Sequence, residues 1–531
     1  MLILQESTYV HPNRDILFSG LNLQINKNDK IALIGNNGSG KSTILKILAG
    51  DLIPSKGVLK AEVKPYYVPQ IYGQYNNCTV AEALGIADKL NAFYEILEGR
   101  ATESNLETLN DDWLIEERCK ESLAIWGLDE LDLMQKLQLL SGGQKTKIFL
   151  AGIHIHQPEM VLLDEPSNHL DDAGRLSLYN YLASTNHTLL LVSHDRTLLN
   201  LLNVVYELNK AGITVYGGNY DFYIEQKKIE SEAHENDLKN KEKALRKAKE
   251  IQKESIERQQ KLDARGKKKQ EKAGLPTISM NTLKNNAEKS TSKIKGIHAE
   301  KVNEITKDLS QLRREALDVD KMKMGFEASR FHNGKILITA EQINFQYNSQ
   351  LLWKNPLSFQ FTAGERIAVK GLNGSGKTTF IKMILGLLVP QSGSIKITDF
   401  NAVYIDQDYS LIRDDFSVYE QAQSNNSGAL LEHEIKIRLN RFLFTKEFWD
   451  KPCATLSGGE RMRLMLCCLT IGTQAPDVIV LDEPTNNLDI QNIEILTAAV
   501  NEYGGLLLVV SHDEYFLNQI GVERFISLTG T

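Results

Sequence analysis

Short apolar runs alternate with amphipathic segments in two parts of the chain, and this pattern predicts two α/β units. One apolar run ends in Asp164 and Glu165, and another ends in Asp482 and Glu483. Runs of this kind are typical of strands buried on both faces of a parallel sheet. Carboxylates at the ends of such strands lie where α/β proteins bind ligands. An acid pair that caps a helix after a core strand is the simpler alternative.

Each unit also contains a glycine-rich turn between an apolar run and a helical pattern, with the spacing G-x-x-x-x-G-K-S/T. Glycines let the backbone wrap phosphates, and the following helix N-terminus favours an anion. In this context Lys41 is predicted to reach the terminal phosphates, and the Ser42 hydroxyl to bind Mg²⁺. The first turn comprises Gly35, Asn36, Asn37, Gly38, Ser39, Gly40, Lys41, Ser42 and Thr43. The second comprises Gly371, Leu372, Asn373, Gly374, Ser375, Gly376, Lys377, Thr378 and Thr379.

Three further features recur in the same order in both units, which indicates an internal repeat. They are a strand ending in an amide, a Ser-Gly-Gly turn that opens a helix, and a histidine after an apolar run. The first copy has Gln70, then Ser141, Gly142, Gly143 and Gln144, then His194. The second has Gln407, then Ser457, Gly458, Gly459 and Glu460, then His512. The first copy holds about 21 extra residues between its amide and its Ser-Gly-Gly turn. These residues predict a larger helical subdomain with a small protruding arm, and a neutral loop insertion is the alternative.

The repeat divides the chain into predicted domains at 1–222 and 326–531, separated by residues 223–325. Residues 225–271 are helical in composition and contain no proline. A second helix is predicted by an apolar heptad pattern at Val302, Ile305, Leu309, Leu312, Ala316 and Val319. A break at 273–281 predicts an apolar-tipped turn between two long antiparallel helices, and about 45 residues of helix would span about 65–70 Å.

Charge is distributed unevenly between the separating segment and the rest of the chain. The net charge is -7, whereas residues 225–326 hold about 26 Lys+Arg and about 18 Asp+Glu. This basic excess predicts contact with a polyanion, although a solvated linker is the alternative. Basic residues cluster towards the predicted turn at Arg258, Lys261, Arg265, Lys267, Lys268, Lys269, Lys272, Lys284, Lys289, Lys293 and Lys295.

The remaining composition is that of an ordinary soluble protein, with 42% hydrophobic and 24% charged residues. No apolar run reaches the length of a membrane helix, and the first residues lack a signal-peptide pattern. The five cysteines show no metal-ligand spacing. We therefore expect a cytoplasmic protein.

With these motifs in view, the chain closely resembles class F of the ATP-binding cassette proteins (ABC-F) over essentially its whole length. The resemblance rests on the two glycine-rich turns (Walker A), the Ser-Gly-Gly signatures and the acid pairs (Walker B). The Asn-His-Leu-Asp form at 168–171 and the Tyr-Gly-Gly-Asn-Tyr run at 216–220 also fit the class. It implies two P-loop NTPase ABC cassettes in tandem, joined by a long helical hairpin, and an ATPase that uses ATP and Mg²⁺. Ser167, Asn487 and Glu460 depart from the usual family residues but remove no catalytic group.

The resemblance also implies roles for individual residues. Glu165 and Glu483 would activate water, and His194 and His512 would contact the γ-phosphate. The implied Mg²⁺ ligands are Ser42, Gln70, Asp164, Thr378, Gln407 and Asp482. The cassettes would close head to tail within one monomer, so that each signature completes the opposite site. Tyr347 would stack on adenine in the second site, and His11, with Tyr9 nearby, is its loosely aligned counterpart in the first.

At the level of function, the resemblance implies binding to ribosomal RNA and tRNA through the basic linker, which would extend from the tRNA exit site towards the peptidyl-transferase centre. Some members resembling this chain rescue stalled ribosomes and others displace antibiotics, and the long linker looks like the antibiotic-resistance branch. Two other hypotheses stay open: the nucleotide-binding subunit pair of a transporter, and an accessory ATPase of DNA repair.

Overall fold

The computed structural model describes residues 1–12, 14–209, 212–273, 296, 299–310, 332, 334–347, 350–372, 374–472, 474–486 and 488–529. The chain divides into two compact units. One contains residues Met1–Asp221 and Lys321–Thr531, and the other contains Phe222–Asp320. The first unit thus holds both predicted cassettes, and the second holds most of the predicted linker.

The first cassette mixes an antiparallel sheet, a mostly parallel sheet and surrounding helices. Its strands are β1 (Leu2–Val10), β2 (Ile16–Ile25), β3 (Lys30–Ile34), β4 (Lys56–Ala61), β5 (Tyr66–Val68), β6 (Met160–Asp164), β7 (Thr188–Val192), β8 (Val204–Asn209) and β9 (Gly212–Tyr216). Its helices are α1 (Lys41–Ala49), α2 (Val80–Ala83), α3 (Ala87–Leu97), α4 (Glu103–Leu109), α5 (Ile115–Ile125), α6 (Gly142–His156), α7 (Asp172–Ser184) and α8 (Arg196–Asn200).

The six-stranded sheet of this cassette has the order β5-β6-β7-β3-β8-β9. All neighbours pair in parallel except β8 and β9. The carboxyl ends of β3, β5, β6 and β7 therefore meet at one edge of the sheet. Because the predicted site residues follow these four strands, the topology brings them to one place.

The linker unit begins with one very long helix. Helix α9 spans Tyr220–Ala273, which corresponds to about 80 Å of helix. A second helix, α10, covers residues 299–310. The two lie side by side, since Lys241 Nζ is 2.5 Å from Asp308 Oδ2. Leu309, one of the predicted heptad positions, is buried. Of the predicted break at 273–281, the structure describes only Ala273, the last residue of α9. Residues 274–281 and the heptad positions beyond 310 lie outside the described residues.

The second cassette repeats the architecture of the first. Its strands are β10 (Ile336–Asn344), β11 (Gln346–Tyr347), β12 (Gln350–Leu351), β13 (Leu357–Thr362), β14 (Arg366–Lys370), β15 (Ser392–Ile397), β16 (Ala402–Ile405), β17 (Val478–Asp482), β18 (Leu506–Val510) and β19 (Arg524–Ser527). Its helices are α11 (Lys377–Ile384), α12 (Val418–Ser424), α13 (Glu432–Arg441), α14 (Gly458–Ile471), α15 (Ile490–Glu502) and α16 (Glu514–Gln519). The parallel sheet has the order β16-β17-β18-β14-β19, so the edge with the site residues is built in the same way.

In each cassette the helix after the glycine-rich turn is packed between the parallel sheet and a three-stranded antiparallel sheet. In the first, Ile44 and Leu48 of α1 pack with Leu4 of β1 and with Leu162 and Leu190 of the central strands. In the second, the corresponding core includes Phe380 and Ile384 of α11. Burial of these side chains, at about 1.5–3 kcal/mol each, fixes the helix N-terminus against the sheet edge.

The extra residues of the first copy form additional helices. Between Gln70 and Ser141 the first cassette has α2 to α5, whereas the second has α12 and α13 in the corresponding segment. Asp112 ties the added helices together, because it accepts hydrogen bonds from Lys89 of α3 at 3.2 Å and from Arg118 of α5 at 2.7 Å. Of the two alternatives that the sequence left open, the structure thus agrees with the larger helical subdomain. In the part of the chain that the structure describes, no helix is both long and apolar enough to cross a bilayer.

Candidate active sites

A cavity of about 340 Å³ lies beside the first glycine-rich turn. It is bounded by residues from the turn and from the ends of the neighbouring strands. These are His11, Leu17, Asn37, Gly38, Gly40, Lys41, Ser42, Thr43, Gln70, Asp164, Glu165, Val192 and His194. Fold topology thus gathers predicted residues that are more than 150 positions apart in sequence into one cavity.

The first turn folds around its own lysine. Lys41 Nζ donates to the carbonyl oxygens of Gly35 at 2.6 Å and Asn36 at 3.2 Å. Burial lowers the pKa of Lys41, and the nearby carboxylate of Glu165 opposes that effect. Gly40 has φ 104°, and a Cβ there would lie 3.0 Å from Leu17, so the turn requires glycine. The Ser39 hydroxyl is buried, and no residue of the described chain forms a hydrogen bond with it.

Two hydroxyl groups donate hydrogen bonds to the carboxylate of Asp164. Ser42 Oγ donates to Asp164 Oδ1 at 3.1 Å, and Tyr67 Oη donates to Asp164 Oδ2 at 3.1 Å. Gln70 lies in the wall of the same cavity. Burial raises the pKa of Asp164, and the two hydroxyl donors oppose this rise. Hydroxyl, amide and carboxylate oxygens are the ligand types that suit Mg²⁺.

A tyrosine beside each Walker B aspartate was not predicted. Tyr404 Oη donates to Asp482 Oδ2 at 2.7 Å, as Tyr67 does to Asp164. Each tyrosine lies three residues before the amide of its copy, and this recurrence is the signal that could have identified the pair.

Both predicted catalytic glutamates have an unusual backbone conformation. Glu165 and Glu483 each have φ 50°, in the left-handed region that residues other than glycine seldom occupy. Their amides donate at 2.8 Å to the carbonyl oxygens of Val192 and Val510, respectively, on the neighbouring strands. Strained residues of this kind concentrate at functional sites, and the same strain recurs in both copies.

Glu165 is paired with His194 in the first site. His194 Nε2 is 3.3 Å from Glu165 Oε1, and the His194 amide donates to Glu165 Oε2 at 3.3 Å. Burial raises the pKa of Glu165 to about 8 and lowers the pKa of His194 well below its usual value. Both side chains are therefore favoured in their neutral forms in the nucleotide-free chain.

This burial predicts how stability depends on pH in the Glu165→Gln variant. Folding raises the Glu165 pKa from about 4.5 to about 8, so the native carboxyl stabilises the fold below pH 4.5 and this contribution is lost as pH rises through 8. Glutamine does not titrate. We expect the melting temperature of the nucleotide-free variant, relative to the native chain, to increase between pH 5 and pH 8.5, which calorimetry with a chelator present would measure.

Glu130→Gln is the matched control, because Glu130 is an exposed carboxylate of the same cassette. If the difference in melting temperature between Glu165→Gln and the native chain stays constant with pH, or changes by the same amount in Glu130→Gln, the prediction is contradicted.

The second site contains the same groups in a different arrangement. Lys377 Nζ donates to the Gly371 carbonyl oxygen at 2.9 Å and lies 3.0 Å from His512 Nε2. His512 Nε2 is also 3.5 Å from Glu483 Oε1. Gln407 lies half-buried just beyond β16, at the same edge of the sheet.

The other residues of the second turn occupy the loop and the first turn of α11. Leu372, Gly374 and Thr378 are exposed, Gly376 is half-buried, and Ser375 is buried. Gly376 has φ 90°, and a Cβ there would lie 2.4 Å from Leu352. Thr379 contacts the predicted adenine-stacking residue, since Tyr347 Oη lies 3.1 Å from Thr379 Oγ1. Asn373 lies outside the described residues.

Tyr347 and His11 are the predicted adenine-stacking side chains. Tyr347 is 54% exposed, so part of its side chain is accessible. His11 lines the first cavity, and its ring packs edge-on against that of Tyr9 at 5.6 Å.

The signature serines cap the helices that follow them. Ser141 Oγ accepts from the Gln144 amide at 3.3 Å, and Ser457 Oγ accepts from the Glu460 amide at 3.3 Å. Glu460 also accepts a hydrogen bond from Ser457 Oγ at 3.0 Å, an additional contact in the second signature.

The signature glycines allow close approach of neighbouring side chains. A Cβ on Gly142 would come within 3.2 Å of the His169 ring, and one on Gly459 within 2.2 Å of the Asn492 amide. Gly143 is buried in the first turn of α6, and Gly458 begins α14. Completion of each site by the opposite signature stays a prediction.

The two cassettes contact each other through residues beside these sites. The Asn37 amide donates to Asp489 Oδ2 of the second cassette at 2.9 Å. His512 Nδ1 lies 2.6 Å from Asp172 Oδ1 of the first cassette. Arg196 is 3.2 Å from Glu494 and lies 4.3 Å from the centre of the Tyr515 ring. None of these contacts between the copies was predicted from sequence.

Comparison with known proteins agrees with this architecture. A family model described as ABC transporter matches residues 18–168 and 354–486. The putative ATP-binding protein YdiF of Bacillus subtilis is 32% identical, and the alignment covers 96% of this chain and 77% of that protein. ABC transporter F family member 2 of Arabidopsis thaliana is 28% identical, with 95% of this chain and 73% of that protein covered.

The chain belongs to class F of the ATP-binding cassette family. The ATP-binding protein Uup of Escherichia coli, 30% identical with 96% of this chain and 78% of that protein covered, is a further relative. As a member of this family the chain is an ATPase. The predicted family, fold and enzyme class are therefore confirmed.

Solved structures agree with the fold. An archaeal ribosome recycling factor, aABCE1, in a complex with the ribosomal stalk protein aP1, aligns with a TM-score of 0.59 at 19% identity, covering 98% of this chain and 87% of that chain. At 19% identity, this alignment shows that the two chains share a fold.

Proposed function

We propose that this class F ATPase is a translation factor. ATP binding would hold the paired cassettes closed and fix the linker against ribosomal RNA and tRNA, and hydrolysis would release the ribosome. The observation that carries the proposal is helix α9 (Tyr220–Ala273), a basic helix that leads directly out of a cassette with a complete set of ATPase residues.

The surface of α9 supports contact with a polyanion. Its basic side chains that are exposed along the described part include Lys243, Arg246, Lys247, Lys249, Lys253, Arg258, Lys261 and Arg265. Lysine and arginine side chains neutralise phosphates and release counterions, which supplies affinity that does not depend on base sequence. The ends of long helices can also bring such groups into a groove that a globular cassette cannot enter.

Two solved structures of similar fold support the choice of partner. One is the archaeal ribosome recycling factor in its complex with a ribosomal stalk protein. Another structure, which aligns with a TM-score of 0.55, is of ribosome-bound archaeal Pelota and ABCE1. Both alignments cover nearly all of this chain. We therefore propose that the ribosome is also the partner of this chain.

Within each site we propose the following division of roles. Lys41 and Lys377 bind the terminal phosphates, and the capped signature helices present their N-termini to the opposite nucleotide. Glu165 and Glu483 orient the attacking water and accept its proton, while His194 and His512 contact the γ-phosphate.

The residues around Asp164 and Asp482 would hold Mg²⁺. In the first site Ser42, Gln70 and Asp164 supply oxygen atoms around one cavity, and Thr378, Gln407 and Asp482 are their counterparts. The ion would neutralise charge on the phosphates. Tyr67 and Tyr404 orient the two aspartates for this task.

Co-sedimentation tests the function. Purified chain is centrifuged with ribosomes or with anionic vesicles, each with and without a nonhydrolysable ATP analogue. Turnover of ATP is measured separately with ribosomes and with branched DNA. We expect ATP-dependent recovery with ribosomes. Recovery with vesicles alone would favour a transporter module, stimulation of ATP turnover by branched DNA alone would favour a repair ATPase, and either result would overturn the proposal.

We also propose that the linker acts near the peptidyl-transferase centre and protects ribosomes from drugs. A panel of minimum inhibitory concentrations across ribosome-targeting drugs, with and without expression of the chain, tests this branch. Higher minimum inhibitory concentrations for drugs that bind the peptidyl-transferase centre would support protection. If expression of the chain changes none of these concentrations, the chain would be a general translation factor and not a resistance factor.

A further inference from the structure

The two nucleotide sites differ in how their histidines are held. In the second site the His512 ring lies between two partners: Asp172 Oδ1 is 2.6 Å from Nδ1, and Lys377 Nζ is 3.0 Å from Nε2. Asp172 belongs to the first cassette, where it is the first residue of α7, whereas Lys377 and His512 belong to the second. A residue of one cassette therefore orients the histidine of the other.

These contacts define the hydrogen-bonding state of the ring. A carboxylate only accepts and an ammonium only donates, so Nδ1 must carry the proton that is given to Asp172, and Nε2 accepts from Lys377. The Nε2 atom then faces Glu483, whose Oε1 is 3.5 Å away. Asp172 thus fixes both the rotation of the ring and the atom directed towards the reaction centre, as a carboxylate does for a catalytic histidine.

The first site lacks this arrangement. His194 Nδ1 is buried, and within the described residues no group forms a hydrogen bond with it. The position that corresponds to Asp172 is Ile490, the first residue of α15. Isoleucine has no polar side-chain atom and cannot orient an imidazole. The difference is one of sequence as well as geometry, since Asp171 and Asp489, one residue earlier, are the same in both copies.

We propose that Asp172 is a positioning residue for His512, supplied by the opposite cassette, and that the second site consequently hydrolyses ATP faster than the first. This inference rests on the proposed role of His512 in ATP hydrolysis. It also links turnover at the second site to pairing of the cassettes, because His512 acquires its partner only where the two cassettes meet.

Single-site variants test this. The Glu165→Gln background leaves the second site active, and the Glu483→Gln background leaves the first. In the first of these backgrounds we expect Asp172→Ala to lower kcat by about ten- to a hundredfold, the usual cost of removing an orienting partner, with KM changed by less than about twofold. Asp172→Asn keeps an acceptor oxygen and should restore much of the rate.

Ile490→Ala is the matched control, since it truncates the corresponding residue without removing an acceptor. It should change kcat by less than about twofold in either background. Equal loss in both backgrounds on Asp172→Ala, or an unchanged kcat at the second site, would overturn the inference. If the native chain itself does not hydrolyse ATP, the proposed roles of the site residues fail instead.

A second readout does not depend on turnover. In nucleotide-free chain labelled with ¹⁵N at histidine, the His512 ring signals are those lost in His512→Gln. We expect them to report a protonated Nδ1 in the native chain and a different tautomer in Asp172→Ala. An unchanged pattern, with an unchanged melting temperature, would show that Asp172 does not set the state of the ring.

Discussion

Exchange of both Glu165 and Glu483 for glutamine is expected to lower kcat for ATP hydrolysis by about 10²–10⁴-fold while ATP binding persists. Each glutamate carboxylate lies at the edge of the parallel sheet, within reach of the lysine and histidine of its own site. Glutamine has a similar shape but does not accept a proton from water at neutral pH. Phosphate release measures the loss, and equilibrium binding of labelled ATP measures what remains.

The same variant should accumulate on ribosomes when ATP is present, because closure would no longer be reversed by hydrolysis. Glu130→Gln, which removes an exposed carboxylate of the first cassette, is the control and should retain native turnover. A double variant that binds ATP but is recovered from ribosomes less than the native chain would argue against closure as the step that holds the chain there.

The motifs that sequence analysis could identify are those in which neighbouring residues act together. The turn that ends in Lys41 and the pair Asp164 and Glu165 are local patterns, and each follows a buried strand. Parallel pairing of those strands then aligns their ends, so the shared cavity follows from the fold class. This is why the position of the first site was predictable even though its residues are far apart in sequence.

Contacts between the copies could not be read from the same patterns. Asp172 and His512 are 340 residues apart, and neither position has a local signal for the other. Their meeting depends on how two separately folded cassettes pack. Arg196 and Glu494, 298 residues apart, illustrate the same difficulty. Comparison of the two copies adds little, because Asp172 and Ile490 begin a stretch in which residues 172–177 all differ from their counterparts at 490–495.

The linker illustrates a different limit. Composition and the absence of proline predicted a long helix, and α9 confirms it. Helix propensity is local and adds up over many residues, which makes a long helix predictable from sequence. With 54 residues, α9 is longer than the helix of about 45 residues that the sequence predicted. The partner of these basic side chains depends on both the charge and the shape of the linker. From sequence alone, a linker that contacts only solvent therefore stayed an alternative.

Replacement of residues 222–320 by a flexible glycine–serine connection is expected to abolish ribosome association while ATP turnover stays within about threefold of the native rate. The cassettes form one compact unit without this segment, and both active sites lie in that unit. Ribosome association is measured by co-sedimentation with the ATP analogue, and turnover by phosphate release.

A full-length variant separates the charge of the linker from its bulk. Arg258, Lys261 and Arg265 are exposed on α9, and exchanging all three for glutamine preserves helix propensity while removing positive charge. If α9 contacts RNA phosphates, binding should weaken and the dependence of log K on log salt should become shallower by about 0.7–0.9 for each lost contact. Undiminished association of the deletion variant would mean that the cassettes alone carry the binding surface, and the linker would then have to act after binding.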